Sequence, residues 1–261
     1  MDTNKKEQDV YLSANEAFNE YLCQLKGQLP INQRMTLIHC PTFNFNSINT
    51  EVARNRSYYA YPPTGLQCLK AALSDFDIEV DILDLNYKLL KKICEAENSD
   101  YLNLTPMLDE YFSSNDVSIV GVSAGVIVSN VFSIKKHPFV QTLNYLASKA
   151  SHLVLTGGII ANNECLSLLR KELTHFVFEG EAELKLRFFL GQWFGVEKHP
   201  CTPGIHFKYK NQLLETKEKI VREKFQDLVG TDQEVLIEGN HHRKANTVAG
   251  RTRGNHPVFI K

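Results

Sequence analysis

Between Arg34 and Phe194 the chain repeats one unit five times: a short apolar run, a break, then a helical period. The runs are "RMTLIHC" (34–40), "IEVDILDLN" (78–86), "VSIVGVSAG" (117–125), "HLVLTGG" (152–158) and "HFVFEG" (175–180). Helical segments separate and follow them. In "TGLQCLKAALSDF", after Pro62-Pro63, apolar Leu66, Leu69, Ala72 and Leu73 recur at spacings of three and four. "YKLLKKICEAE", "LTPMLDEYFSS", "VFSIKKHPFVQTLNYLASKA" (delayed or kinked at Pro138), "NNECLSLLRKEL" with an Asn cap, and "EAELKLRFFLGQWF" follow. Strands alternating with helices predict a parallel sheet covered on both faces. Five units predict a doubly wound α/β fold of the flavodoxin-like (Rossmann-like) kind, which takes ligands beyond the carboxyl ends of its strands.

The strand ends are rich in small residues. Ser123-Ala124-Gly125, Thr156-Gly157-Gly158 and Glu179-Gly180-Glu181 all fall at that one sheet edge. Glycine lets a ligand approach the main chain because no Cβ blocks it. Any one of these sites is equally a tight turn between strand and helix. Three together, beside the aperiodic stretch 41–61, predict a broad groove over the sheet edge. No GxxxxGK[ST] occurs and no GxGxxG follows a strand, which argues against a nucleoside triphosphatase or a dinucleotide-binding dehydrogenase. "GVSAG" spells a nucleophile elbow around Ser123, but Gly121 lies inside the apolar run and no oxyanion motif accompanies it.

Composition narrows the partners. The six cysteines, at 23, 40, 68, 94, 165 and 201, include no two within four residues of each other. They read as reduced, mostly buried thiols rather than a local metal or cluster ligand set, and no protein metal ligand is predicted. No apolar run reaches the roughly 18 residues of a membrane span. The polar N-terminus lacks a signal-like apolar core, so a cytoplasmic location is expected. Charge is uneven: 11 of the 29 Lys/Arg but only 7 of the 30 Asp/Glu lie from Gly204 onward, and residues 240–261 hold five basic residues and no acidic one. The chain thus divides into an N-terminal helical lead-in (1–33), an α/β domain (34–203), and a segment (204–261) holding a hairpin, a charged helix and two β segments.

The order "YPPTGLQCLKAAL…IEVDILDLN", "IVGVSAG", "LVLTGGIIAN", "FVFEGEAE" resembles the cobalamin-binding domain of B12-dependent radical SAM enzymes, over about residues 34–194. The resemblance implies a corrin over the strand ends, with its nucleotide tail entering the sheet edge. It implies that Ser123 and Ala124 line the tail slot, with Gly125 beside them. It implies that Gly157 and Gly158, after Thr156, let the tail pass, and that Glu179-Gly180 approaches corrin or tail. The stretch 40–61 would face the lower side of the ring. The DxHxxG motif of histidine-ligated cobalamin proteins is absent, and His39 reads as a core histidine rather than a cobalt ligand.

The cysteine triad that would hold an iron–sulfur cluster is also absent from this sequence. No cluster and no autonomous radical SAM activity are therefore expected of it, and a separate radical SAM subunit is an implied partner. "DLVGTDQEVLIEGNHHRKANTVAGRTRGNHPVFI" (227–260) resembles the first part of the TRAM domain that ends radical SAM methylthiotransferases, which act on tRNA or a ribosomal protein. That implies RNA phosphate contacts by Arg243, Lys244, Arg251 and Arg253, unless these form only a solvated basic face. The alternative function is a relative that has lost cobalamin and works as a protein- or RNA-interaction module.

Overall fold

The structure is a computed structural model that describes residues 3–41, 49–56, 60–95, 103–123, 125, 131–134, 137–196, 202–216, 235–240, 248–252 and 257–260; the side chains of 3–13, 50, 55–56 and 235–260 are not described. The chain forms two compact units, residues 1–218 and 219–261.

In the first unit, β1 (Arg34–His39), β2 (Glu79–Asp84), β3 (Ile119–Ser123), β4 (Leu153–Gly157) and β5 (Phe176–Phe178) pair in parallel in the spatial order β2-β1-β3-β4-β5. This is the expected doubly wound α/β arrangement, with its topological switch between β1 and β3. The sheet has seven strands, however. Strands β6 (Ile205–Tyr209) and β7 (Gln212–Glu215) continue it antiparallel beyond β5. The turn between them carries Lys210 and Asn211 at φ +47° and +63°. Two left-handed residues match the twist of a two-residue hairpin. The hairpin was predicted, but as part of the C-terminal segment. Apolar Ile205 and Phe207 instead complete the core of the first unit.

Each parallel strand sends alternate residues to two covered faces. Ile119, Leu153, Leu155, Phe176 and Phe178 enter one apolar cluster, while Val120, Val122, Val154 and Val177 enter the other. The first face is covered by α1 (Thr3–Gln28), α3 (Thr64–Ala72) and α9 (Glu183–Phe194). The second packs α2 (Thr50–Arg56), α4 (Leu85–Glu95), α5 (Thr105–Ser114), α6 (Pro138–Lys149), α7 (Ile159–Asn163) and α8 (Cys165–Arg170). Helix α2 lies in the stretch that showed no period. Helix α6 starts at Pro138, where proline is tolerated because its missing N–H has no partner in a first turn. The Asn cap expected at 162 is not used: α7 begins earlier, capped by Gly158.

The N-terminal helix is more than a lead-in. Phe18 is buried and lies 5.7 Å from the rings of Phe176, Phe188 and Phe207. Lys26 donates to the carbonyl of Gln192 in α9 at 2.9 Å. On the other flank of α9, Arg187 pairs with Asp75 at 2.6 Å and lies over the Phe76 ring. Helix α1 thus closes the β5–β6 half of the sheet.

His175 precedes β5, and its Nδ1 accepts from the Val154 N–H at 3.0 Å. Burial pushes its imidazole down to about 4, against roughly 6.5 in an unfolded chain. Between those values the unfolded state binds the extra proton, so stability rises with pH. Burial lowers His137 and His152 in the same direction. The unfolding midpoint in urea is therefore expected to fall as pH is taken from 7 to 4. His175, which keeps some exposure, contributes roughly 1–3 kcal/mol of that loss. A midpoint flat over this range would contradict the buried neutral imidazole.

The second unit contains β8 (Val235–Asn240), β9 (Val248–Thr252) and β10 (Pro257–Ile260) in an antiparallel sheet of order β10-β9-β8. The two expected β segments hold three strands: β8 lies in the first, and β9 and β10 both lie in the second. The helix predicted over "KEKIVREKFQDLVG" lies outside the described residues.

Candidate functional site

The parallel strands end at one level. Asp84, His39, Ser123, Gly157 and Phe178 are register partners across β2-β1-β3-β4-β5. They face the side covered by α3 and α9, because Met35, Leu37, Ile119 and Leu155, two or four residues before them, enter that apolar cluster. Large residues at every place in this row would close the sheet against the helices. Small ones in β3 and β4 leave a gap.

The gap is a cavity of about 70 Å3. Its floor is Met35 and Leu37 of β1, and one side is Gly121, Val122 and Ser123 of β3. Leu155, Thr156, Gly157 and Gly158 form the β4 wall, and Phe178 the β5 wall. Leu66 and Leu69 of α3 close it opposite Ala182 and Leu186. The lining is mainly apolar, and such a slot takes the edge of a flat apolar ring while a larger body stays outside.

Two glycines set its width for different reasons. A Cβ at Gly121 would lie 2.8 Å from Leu37 Cδ2 and 3.2 Å from Met35 Cε, so a larger residue there would push the ends of these two flexible side chains aside. A Cβ at Gly157 would clear its nearest neighbours, Phe178 O and Cβ, by 3.8 and 4.0 Å. Gly157 therefore tolerates a side chain sterically, and that side chain would enter the cavity. Gly158 sits at φ 90°, ψ 176°, a conformation essentially reserved for glycine.

The residues predicted from sequence divide accordingly. Ser123, Thr156, Gly157 and Gly158 converge on the cavity. The Thr156 hydroxyl is already committed to the Phe176 carbonyl at 3.3 Å, so it offers the cavity main chain rather than a free polar group. Gly125, Glu179 and Gly180 do not line the cavity. The Glu179 carboxylate instead meets His206 Nε2 at 2.7 Å. Gly180 is exposed at φ +70°. With its amide oriented to satisfy both neighbours, Asn162 donates to Phe178 O and accepts from Gly180 N–H, each at 3.3 Å, which ties the loop after β5 to α7. Ala124 lies outside the described residues, as do Arg243, Lys244 and Arg253; Arg251 is described only as backbone in β9.

Sequence reasoning missed Gly121, Ala182 and the leucines of α3 and α9. Strand alternation held a signal for Gly121, which stands two residues before Ser123 and so shares its face. His39, read as a core histidine, is buried with Nδ1 3.1 Å from Asp84 Oδ1. That oxygen also accepts from the Tyr87 N–H at 2.9 Å at the start of α4. The thiol of Cys40, next in the chain, is pushed up to about 12 by burial and is inert as a nucleophile.

No family model matches the chain. Among curated proteins it is similar to a tRNA-2-methylthio-N(6)-dimethylallyladenosine synthase of Methylacidiphilum infernorum (isolate V4), 43% identical over 56 residues, which is 22% of this chain and 12% of that enzyme. Among solved structures it is similar to the radical S-adenosylmethionine methyltransferase TsrM of Kitasatospora setae, with cobalamin and a [4Fe-4S] cluster bound: 18% identity, 73% of this chain, 30% of that chain, TM-score 0.49. It is also similar to the cobalamin-dependent S-adenosylmethionine radical enzyme OxsB with aqua-cobalamin bound: 13% identity, 74% of this chain, 23% of that chain, TM-score 0.47. The chain thus spans under a third of the length of each of these proteins. Among the described residues, no helix is long and apolar enough to cross a membrane.

Proposed function

We propose that the chain binds cobalamin, with the nucleotide tail in the strand-end cavity and the corrin over the carboxyl ends of β1, β3 and β4. One observation carries the reading: Gly121, Ser123 and Gly157 sit together on one face beside the topological switch, and their small size is what opens the slot. The ordered motifs from "YPPTGLQCLKAAL" to "FVFEGEAE" support the same ligand. Gly125 and Gly180 belong to the rim that the corrin would cover. His39, held by Asp84, is not assigned to cobalt. No cysteine triad occurs in this sequence, so radical chemistry would come from a polypeptide segment or subunit outside it. The test is to mix the purified chain with hydroxocobalamin, remove free ligand by gel filtration, and read the visible spectrum. Corrin is expected to coelute near one per chain. A folded chain that elutes colourless sinks the reading.

A second reading concerns the second unit, and the acid-free stretch 240–261 favours it. Arg243, Lys244, Arg251 and Arg253 would neutralise RNA phosphates, giving weak binding without sequence choice. Four phosphate contacts give a slope of about −3 in log affinity against log salt for a single strand. Filter binding at several salt concentrations is expected to show that slope, and truncation after Gly239 to remove it. Equal retention of RNA by the truncated and full chains would end this reading.

A further inference from the structure

The opposite face of the same sheet edge gathers a second set of polar groups. His206 of β6 is the register partner of Glu215 in β7 and of Val177 in β5. Val177 enters the apolar cluster on the α7–α8 face, so His206 and Glu215 share that face. Glu179 follows Phe178 and is set there by alternation. Its own N–H donates to the Gly204 carbonyl at 2.9 Å, which fixes the chain beside β6. One ligand-capable atom from each of Glu179, His206 and Glu215 lies within 4.8 Å of the others.

We propose that Glu179, His206 and Glu215 form a binding site for a first-row divalent metal ion of the zinc class, separate from the cavity on the other face. Two carboxylates and one imidazole are a mixed oxygen–nitrogen donor set. Such a set suits zinc, with carboxylate and imidazole bonds of about 2.0–2.2 Å, and leaves a position for water. Bonds of that length place donors roughly 3.4 Å apart. The Glu179–His206 contact of 2.7 Å therefore has only to open by a fraction of an ångström, and the third donor to close in. All three side chains reach solvent in part, so an ion has a path of entry.

The two carboxylates favour a cation. Among the described residues, Lys208 pairs with Glu172 at 2.7 Å, and Lys185 donates to the Glu181 carbonyl at 2.8 Å. Cys165, at the start of α8, reports the same convergence from inside the protein. Burial, then the charges of Glu179 and Glu215, push its thiol up to about 11.

The test uses the full chain, stripped with chelator and free of corrin, so that it is independent of the cobalamin reading. Zinc is titrated by calorimetry, and the same sample is titrated with Mn2+ while backbone amide signals are followed by NMR. The proposal expects one zinc equivalent, bound at least ten-fold more weakly by His206→Ala and by Glu215→Gln. It also expects Mn2+ broadening centred on residues 179, 206 and 215 of the wild type. Unchanged zinc affinity in the folded double variant His206→Ala/Glu215→Gln would overturn it. If that variant fails to fold, Mn2+ broadening centred elsewhere in the wild type overturns it equally.

Discussion

Phe18→Ala is expected to lower the stability of the first unit by about 3–5 kcal/mol, the usual cost of truncating a fully enclosed phenylalanine. The side chain is 1% exposed. It meets Phe176 of β5, Phe188 and Phe189 of α9 and Phe207 of β6, with centroids 5.7–6.2 Å apart. Those partners come from three separate elements, β5, α9 and β6, so no single element can move in to fill the void. Urea unfolding should show a lower midpoint at unchanged slope. Glu20→Gln, on the exposed side of the same helix, removes contacts with Lys210 and Tyr209. It is expected to change stability by less than about 1 kcal/mol. A loss under about 1 kcal/mol for Phe18→Ala would mean that α1 does not cover the sheet as described.

The second large effect concerns the cavity. Gly157→Val is expected to weaken cobalamin binding at least ten-fold while leaving the fold intact. The three carbons of the valine side chain would project into a slot of about 70 Å3 and take space that the tail needs. An added Cβ meets nothing closer than 3.8 Å, so the backbone need not move. Gly158→Val is the poorer probe, because φ 90° adds strain to any filling effect. Circular dichroism of the Gly157 variant should match the wild type. A folded Gly157→Val protein that binds cobalamin unchanged would place the tail elsewhere.

The repeating pattern was sufficient for the five parallel strands because β1, β3, β4 and β5 are buried on both faces and appear as short apolar runs, while the edge strand β2 alternates apolar and acidic residues. The edge hairpin was legible as a hairpin, but its place was not. "GIHFKYKNQLLET" alternates as any half-exposed ribbon does, and nothing local says which sheet it joins. Similarly, Phe18, Leu22 and Leu25 show an amphipathic helix without naming its partner. In the site, Ser123, Thr156, Gly157 and Gly158 were readable because small residues at strand ends are unusual in a core. Leu66, Leu69 and Leu186 resemble ordinary core leucines, and only tertiary structure turns them towards a cavity. Glu179 was drawn to the ligand by its glycine neighbour. The structure gives its carboxylate to His206 instead, on the other face of the sheet.

The most direct test compares two corrins by visible-absorbance titration of the full chain: hydroxocobalamin, and cobinamide, which lacks the nucleotide tail. A tail that buries even about 60 Å2 of apolar surface gains roughly 1.5 kcal/mol, or about ten-fold in affinity. Saturable binding of hydroxocobalamin at one equivalent, at least ten-fold tighter than cobinamide, is the result expected if the tail occupies the slot beside Gly157. No saturable change with either corrin, or equal affinity for both, would contradict it.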